Sequence, residues 1–257
     1  MGGRGSAYIK HTKSDDNKFK PSIELIDDPE TEYHNEMFDE LKKLKISTRK
    51  STDVIDDKIL ERQQKQVINI VSKYNSIFEA TTKDRELYFQ AENISDGALA
   101  YCGSSINEKG SIVQRVVIDT KQYKTYDKIV EVVEDGINKK WFVPINTRFK
   151  SRDYVITHEF GHAVENSIFE KIKVERKLDN INLKGFTNTF ATKIKNEVIE
   201  IWKNKYTTGN IDDKIELSKY SEKNDREWFA ETFTNLELAD KPKPIALALG
   251  EYIRRYL

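Results

Sequence analysis

Between residues 31 and 45 the apolar positions Tyr33, Met37, Phe38, Leu41 and Leu44 recur every three or four residues, the period of one helix face. A polar break follows at 47–53. The same period returns between 54 and 78 in Ile59, Val67, Ile70, Val71, Tyr74 and Phe78, which predicts a second, longer helix. The pattern then changes. ELYFQA (86–91), ALAYCG (98–103) and SIVQRVVIDT (111–120) are short runs rich in aromatic or β-branched residues, separated by Asn, Ser, Asp and Gly, and they predict three strands. Residues 126–134 are again helical in pattern, with a turn expected at Asp135-Gly136; in the WFVPIN that follows, Pro144 argues against helix. A long helix is expected over 157–173, with Ser151 and Asp153 as N-cap candidates. Further helices are expected at 186–206, at 225–236 and after Pro244, with a polar loop at 207–214. Residues 1–20 hold few apolar positions and read as a disordered leader. The expectation is an α+β chain in three parts: the leader (1–20), an N-terminal helical region (21–82) and a main domain (83–257).

Composition narrows the chemistry. The 257 residues carry 43 Lys+Arg and 43 Asp+Glu, so no strongly basic face for gripping phosphates is implied and nucleic acid is not an expected partner. The single cysteine, Cys102, excludes an internal disulfide and any zinc site built on cysteine pairs, so a metal must be held by His, Asp or Glu. Cys102 itself reads as a packed strand residue rather than a nucleophile. No run approaches the roughly 18 apolar residues of a membrane span, and the N-terminus lacks a basic-then-apolar signal pattern. A cytoplasmic protein, as synthesised, is expected.

Two of only four histidines fall four residues apart in ITHEFGHAVEN (156–166), with a glutamate directly after the first. At about 100° per residue, His158 and His162 lie only about 40° apart around a helix and one turn along it, so both imidazoles can reach one ion. Glu159 projects off to the side, where it can reach a water on that ion rather than the ion itself, and is the natural general base. Ile156, Phe160, Ala163 and Val164 form the opposite, apolar face. Chance alone gives such a spacing in roughly half a percent of chains of this composition.

A catalytic site of this kind needs a third protein ligand. The best source is NDREWFAETFTNLE (224–237), where Glu227 and Glu231 lie one turn apart while Phe229, Ala230 and Phe233 mark the other side. One carboxylate could bind the metal while the other accepts the free N–H of a ligating histidine. His11 and His34 read as ordinary exposed histidines.

HEFGHAV together with YSEKNDREWFAETF (220–233) resembles the paired motifs of the zincin metallopeptidases typified by the catalytic domain of anthrax lethal factor, over about residue 87 to the C-terminus. The resemblance implies a zincin-like α+β fold, with a small twisted mixed sheet, an HExxH helix, a following helical subdomain and, here, additional N-terminal helices. It implies one zinc ion held by His158, His162 and Glu227, with Glu231 behind the ligands. It also implies that Tyr220, seven residues before the third ligand, faces the zinc-bound water and the developing oxyanion. The longer gap between the two motifs implies an inserted helix within 172–213. In zincins an edge strand above the motif helix pairs with extended substrate, and 111–120 is the expected counterpart, with Val113, Arg115 and Val117 along it. The opening MGGRG and the closing helix are similar to metallopeptidase-like proteins of phages and mobile elements, which suggests a partner from such a system.

The function expected from these residues is zinc-dependent hydrolysis of a protein or peptide substrate. Two rivals are a phage- or element-encoded peptidase specific for one regulatory protein, and a non-catalytic structural or injected protein in which the metal only stiffens the fold.

Overall fold

The helical period of the N-terminal third is realised as α1 (Glu32–Lys43) and α2 (Asp57–Lys73), followed across Tyr74 by the short α3 (Asn75–Glu79). Asp56 caps α2, its carboxylate accepting from the backbone N–H groups of Lys58 and Ile59. The computed structural model describes residues 32–49, 55–79, 86–107, 112–145, 148–176, 183–206 and 217–257. The expected leader and the 207–214 loop lie outside them. The three predicted strands are β2 (Glu86–Glu92), β3 (Ala100–Ile106) and β4 (Ile112–Asp119). With a further strand, β1 (Ile46–Arg49), the four described strands form one mixed sheet in the order β1-β2-β4-β3, giving an α+β architecture.

The additional strand, β1 (Ile46–Arg49), runs through the segment read as a polar break and pairs in parallel with β2, Ile46 opposite Leu87. Ile46 is buried while Ser47 and Thr48 are half-buried, too little to give a period, so the pairing rests on the neighbouring strand. Together with α2 and α3, β1 contributes Ile46, Ile59, Val67, Val71 and Phe78 to the core that also holds Phe89, Val116, Phe160 and Phe233. A boundary at residue 82 therefore does not separate two cores. Arg62 reinforces the join with two hydrogen bonds to Asp153, of 2.8 and 2.7 Å.

The sheet order corrects the substrate-strand expectation. Val113, Arg115 and Val117 of β4 pair with Glu86, Tyr88 and Gln90 of β2 on one side and with Ser105, Gly103 and Tyr101 of β3 on the other. β4 is an inner strand, and the antiparallel edge is β3. Asp119 N–H donates to the Leu99 carbonyl. Hydrogen-bonded and non-bonded positions alternate in an antiparallel pair, so the backbone groups of Ala100, Cys102 and Ser104 point away from β4.

Two local expectations also change. Helix α4 (Tyr126–Asn138) continues through Asp135-Gly136 because Gly136 is needed inside it: a Cβ there would lie 2.2 Å from the Phe142 ring. The long helix α5 (Tyr154–Glu175) begins without a side-chain cap, since Asp153 is committed to Arg62 and the Ser151 hydroxyl donates to Glu134. A 3-10 turn, Arg148–Asp153, leads into it instead.

Helix α5 lies against β3 and β4 on one side and α7 (Asp225–Leu238) on the other, and its residues from Tyr154 to Glu170 are all buried. The expected apolar face, Ile156, Phe160, Ala163 and Val164, is fully covered. Gly161 sets the approach of the two helices, because a Cβ there would come within 3.0 Å of the Ala230 Cα. Helices α6 (Leu183–Lys205), in the gap between the motifs, and α8 (Pro244–Arg254), with proline at its first turn, pack beside α7. Among the described residues no helix is long and apolar enough to cross a membrane.

Candidate metal centre

The crossing of α5 and α7 brings the two sequence motifs into one buried cluster. The His158 and His162 rings, one helical turn apart, lie 5.1 Å between centroids with their planes at 83°. Asn224 caps α7 by accepting from the N–H groups of Arg226 and Glu227, which fixes the first turn that carries the Glu227 carboxylate. Glu227 Oε2 lies 3.1 Å from His158 Nε2 and 3.4 Å from His162 Nε2. One donor atom from each of the three residues falls within 4.8 Å of the others, and all three are buried.

The chemistry of this cluster fits a divalent cation. Neither ring nitrogen of His162 has a hydrogen-bond partner among the described residues, although the side chain is only 1% exposed. Two imidazoles and one carboxylate, converging without a bulky group between them, form the donor set of a three-ligand metal site. Burial works against the charge of Glu227, yet His162 and His158 hold its carboxyl well below the usual carboxylate range. Burial likewise works against a protonated His158, yet its hydrogen bonds to Glu227 and Glu231 carry it up to about 10. The cluster favours positive charge at its centre.

Glu231, one turn after Glu227, stands behind His158. Its Oε1 accepts from His158 Nδ1 at 3.0 Å and from the Tyr154 hydroxyl at 2.9 Å; its Oε2 accepts from Val143 N–H at 2.8 Å and the Ser218 hydroxyl at 2.7 Å. With Nδ1 donating to Glu231, Nε2 is the His158 nitrogen that faces Glu227 and the centre. Tyr154 and Ser218 had no place in the motif reading. Tyr154 precedes His158 by four residues and so shares its face, a cue present in the sequence; Ser218 and the Val143 N–H arrive through the tertiary fold.

Glu159 is 0% exposed and neither of its oxygens has a hydrogen-bond partner among the described residues. Burial raises its carboxyl pKa, with the two histidines pulling the other way. The backbone amide of Cys102 on β3 favours the charged form without reaching a hydrogen bond. Burial also pushes the Cys102 thiol up, in keeping with a packed cysteine. Tyr220 joins the same wall, its ring 5.5 Å from that of His158. Its segment is anchored where Tyr220 N–H donates to the Trp141 carbonyl at 3.1 Å and Lys219 N–H to that of Lys140 at 2.9 Å. Burial, then the charges of Glu227, Glu159 and Glu231, raise the phenol pKa far enough that it stays a donor.

The five polar residues singled out from the sequence, His158, Glu159, His162, Glu227 and Glu231, thus meet in one place with Tyr220 beside them, whereas Val113, Arg115 and Val117 lie inside the sheet. No protein-family model, curated protein or solved structure matches this chain. The functional reading therefore stands on the residues themselves.

Proposed function

We propose that this chain is a zinc-dependent metalloendopeptidase of the zincin type. The observation that carries the reading is the buried convergence of His158, His162 and Glu227 with the carboxylate of Glu159, directly after His158 on α5, which has no hydrogen-bond partner among the described residues. Zinc suits two imidazoles and a carboxylate, and when bound it brings a water acidified towards neutral pKa and polarises the scissile carbonyl. Glu159 takes a proton from the attacking water and passes it to the departing amine as the C–O bond forms and the C–N bond breaks. Its raised pKa suits it to hold that proton between the two transfers. Tyr220 donates its phenolic proton to the oxygen that becomes negative in the tetrahedral species. Glu231 and its donors keep His158 in the required tautomer.

Substrate in this reading is an extended peptide laid along the exposed end of the β3 edge, where the outward backbone groups of Ser104 supply main-chain pairing. The test is cleavage of an unstructured protein by the zinc-loaded chain beside Glu159→Gln. The reading expects cleavage by the wild type and a loss of about a hundredfold or more in the variant, with zinc retained. Cleavage undiminished in a folded, zinc-bound Glu159→Gln would refute the assigned base.

A further inference from the structure

The two ligand histidines are supported differently, and the difference identifies a residue that neither motif names. His158 has Glu231 at hydrogen-bond distance. Facing the Nδ1 of His162 is the Oε2 of Glu165, one turn further along α5, at 3.9 Å. Glu165 is 2% exposed, its Oε1 has no partner among the described residues, and its Oε2 accepts from Arg226 Nε at 3.1 Å. The guanidinium also donates to the Asn166 amide oxygen at 2.9 Å, and the Asn166 amide group donates to Gln114 of β4 at 3.3 Å. Arg226 directly precedes Glu227, so one turn of α7 carries both a ligand and the cation that holds Glu165.

From this geometry we infer that Glu165, held by Arg226, is the positioning residue for His162: it accepts the Nδ1–H of that imidazole and so presents Nε2 to the metal. The inference rests on the metal-site reading. A shift of about 1 Å brings Oε2 from 3.9 Å into ordinary hydrogen-bond range. Nδ1 and Oε1 are both buried without a partner among the described residues; the contact through Oε2 satisfies Nδ1, and Oε1 can share the guanidinium. Glu227 lies on the Nε2 side of His162, which leaves Glu165 as the acceptor beside Nδ1 among the described residues. The arrangement gives each ligand histidine its own buried carboxylate, one supported by neutral donors and the other by a cation.

The test compares full-length wild type, Glu165→Gln, Arg226→Gln and the double variant. Zn2+ affinity is read by competition with a chromophoric chelator, and the Co2+-substituted proteins are read by their visible spectra. The double variant removes both charges, so no lone buried guanidinium is left to disturb the fold. Expected are a fall in Zn2+ affinity of about ten- to a hundredfold in Glu165→Gln and in the double variant, a smaller fall in Arg226→Gln, and a changed Co2+ spectrum. Glu165→Asp should recover part of the loss. Affinity and spectrum at wild-type values in any folded variant lacking the Glu165 carboxylate would overturn the inference while leaving the metal site standing. Absence of binding by the folded wild type would overturn the metal-site reading and this inference with it. Should Glu165→Gln and the double variant both fail to fold, Arg226→Gln decides, with unchanged affinity and spectrum counting against the inference.

Discussion

Glu159 and Glu231 are both completely buried in the same cluster, yet one has no hydrogen-bond partner among the described residues and the other is fully engaged. Glu231 receives His158, Tyr154, Val143 and Ser218. Equal burial therefore serves opposite ends. A carboxylate surrounded by donors is held in place and holds its neighbours, whereas one denied donors keeps its basicity for a proton that arrives from elsewhere. Burial alone would not have told the two apart; the hydrogen-bond inventory does.

The largest effect on stability should come from Glu231→Gln. A single amide oxygen cannot accept from all four donors, and the amide group would face at least one of them, so unfolding by urea should show a loss of about 3 kcal/mol. Stability unchanged within error would mean that the Glu231 network is not what holds Val143 and Ser218 against the site.

A smaller effect should follow pH in the metal-free protein. The pKa of His158 is about 10 in the fold against about 6.5 for a free imidazole, so its protonated form contributes stability that is complete below about pH 6.5 and drains as pH rises towards 10. Unfolding free energies from urea titrations with chelator at pH 6.5, 8 and 9.5 should fall by up to about 1 kcal/mol per pH unit. Zinc should flatten or reverse that slope, because the ion binds the neutral imidazole and its uptake releases protons. A metal-free protein that gains stability over this range would break the picture of His158 clamped between two carboxylates.

The smallest effect should be that of Glu159→Gln, which removes a carboxylate that no donor compensates. Its stability should equal that of the wild type or exceed it by up to about 1 kcal/mol. A clear loss would show that Glu159 is held by contacts of the kind seen at Glu231, and the contrast between them would collapse.

Much of this was legible along the chain, for reasons that differ by element. Helices α2 and α4 announce themselves because a buried stripe must recur with the helical period; α5 and α7 are buried nearly all round, and there the spacings His158/His162 and Glu227/Glu231 place each pair on one face. β1 was hidden because a strand of four residues is too short to show a period. The edge role expected of β4 falls to β3 because the order of strands along the chain does not set their order in the sheet. The near-continuous burial of β4 is the mark of an inner strand, and the exposed Ser104 and Ser105 of β3 are the mark of an edge. Arg226 and Ser218 were illegible in principle. The crossing at Gly161 brings Glu165 to Arg226, while Ser218 meets Glu231 where the segment before α7 lies back against that helix, and nothing local distinguishes either residue from a surface one.

The most direct measurement is the zinc content of the purified chain beside Glu227→Ala. About one zinc per chain is expected in the wild type, with the content lost or much reduced in the variant. A folded wild type that takes up no zinc, or a variant that binds it as well as the wild type, would contradict a centre built on His158, His162 and Glu227.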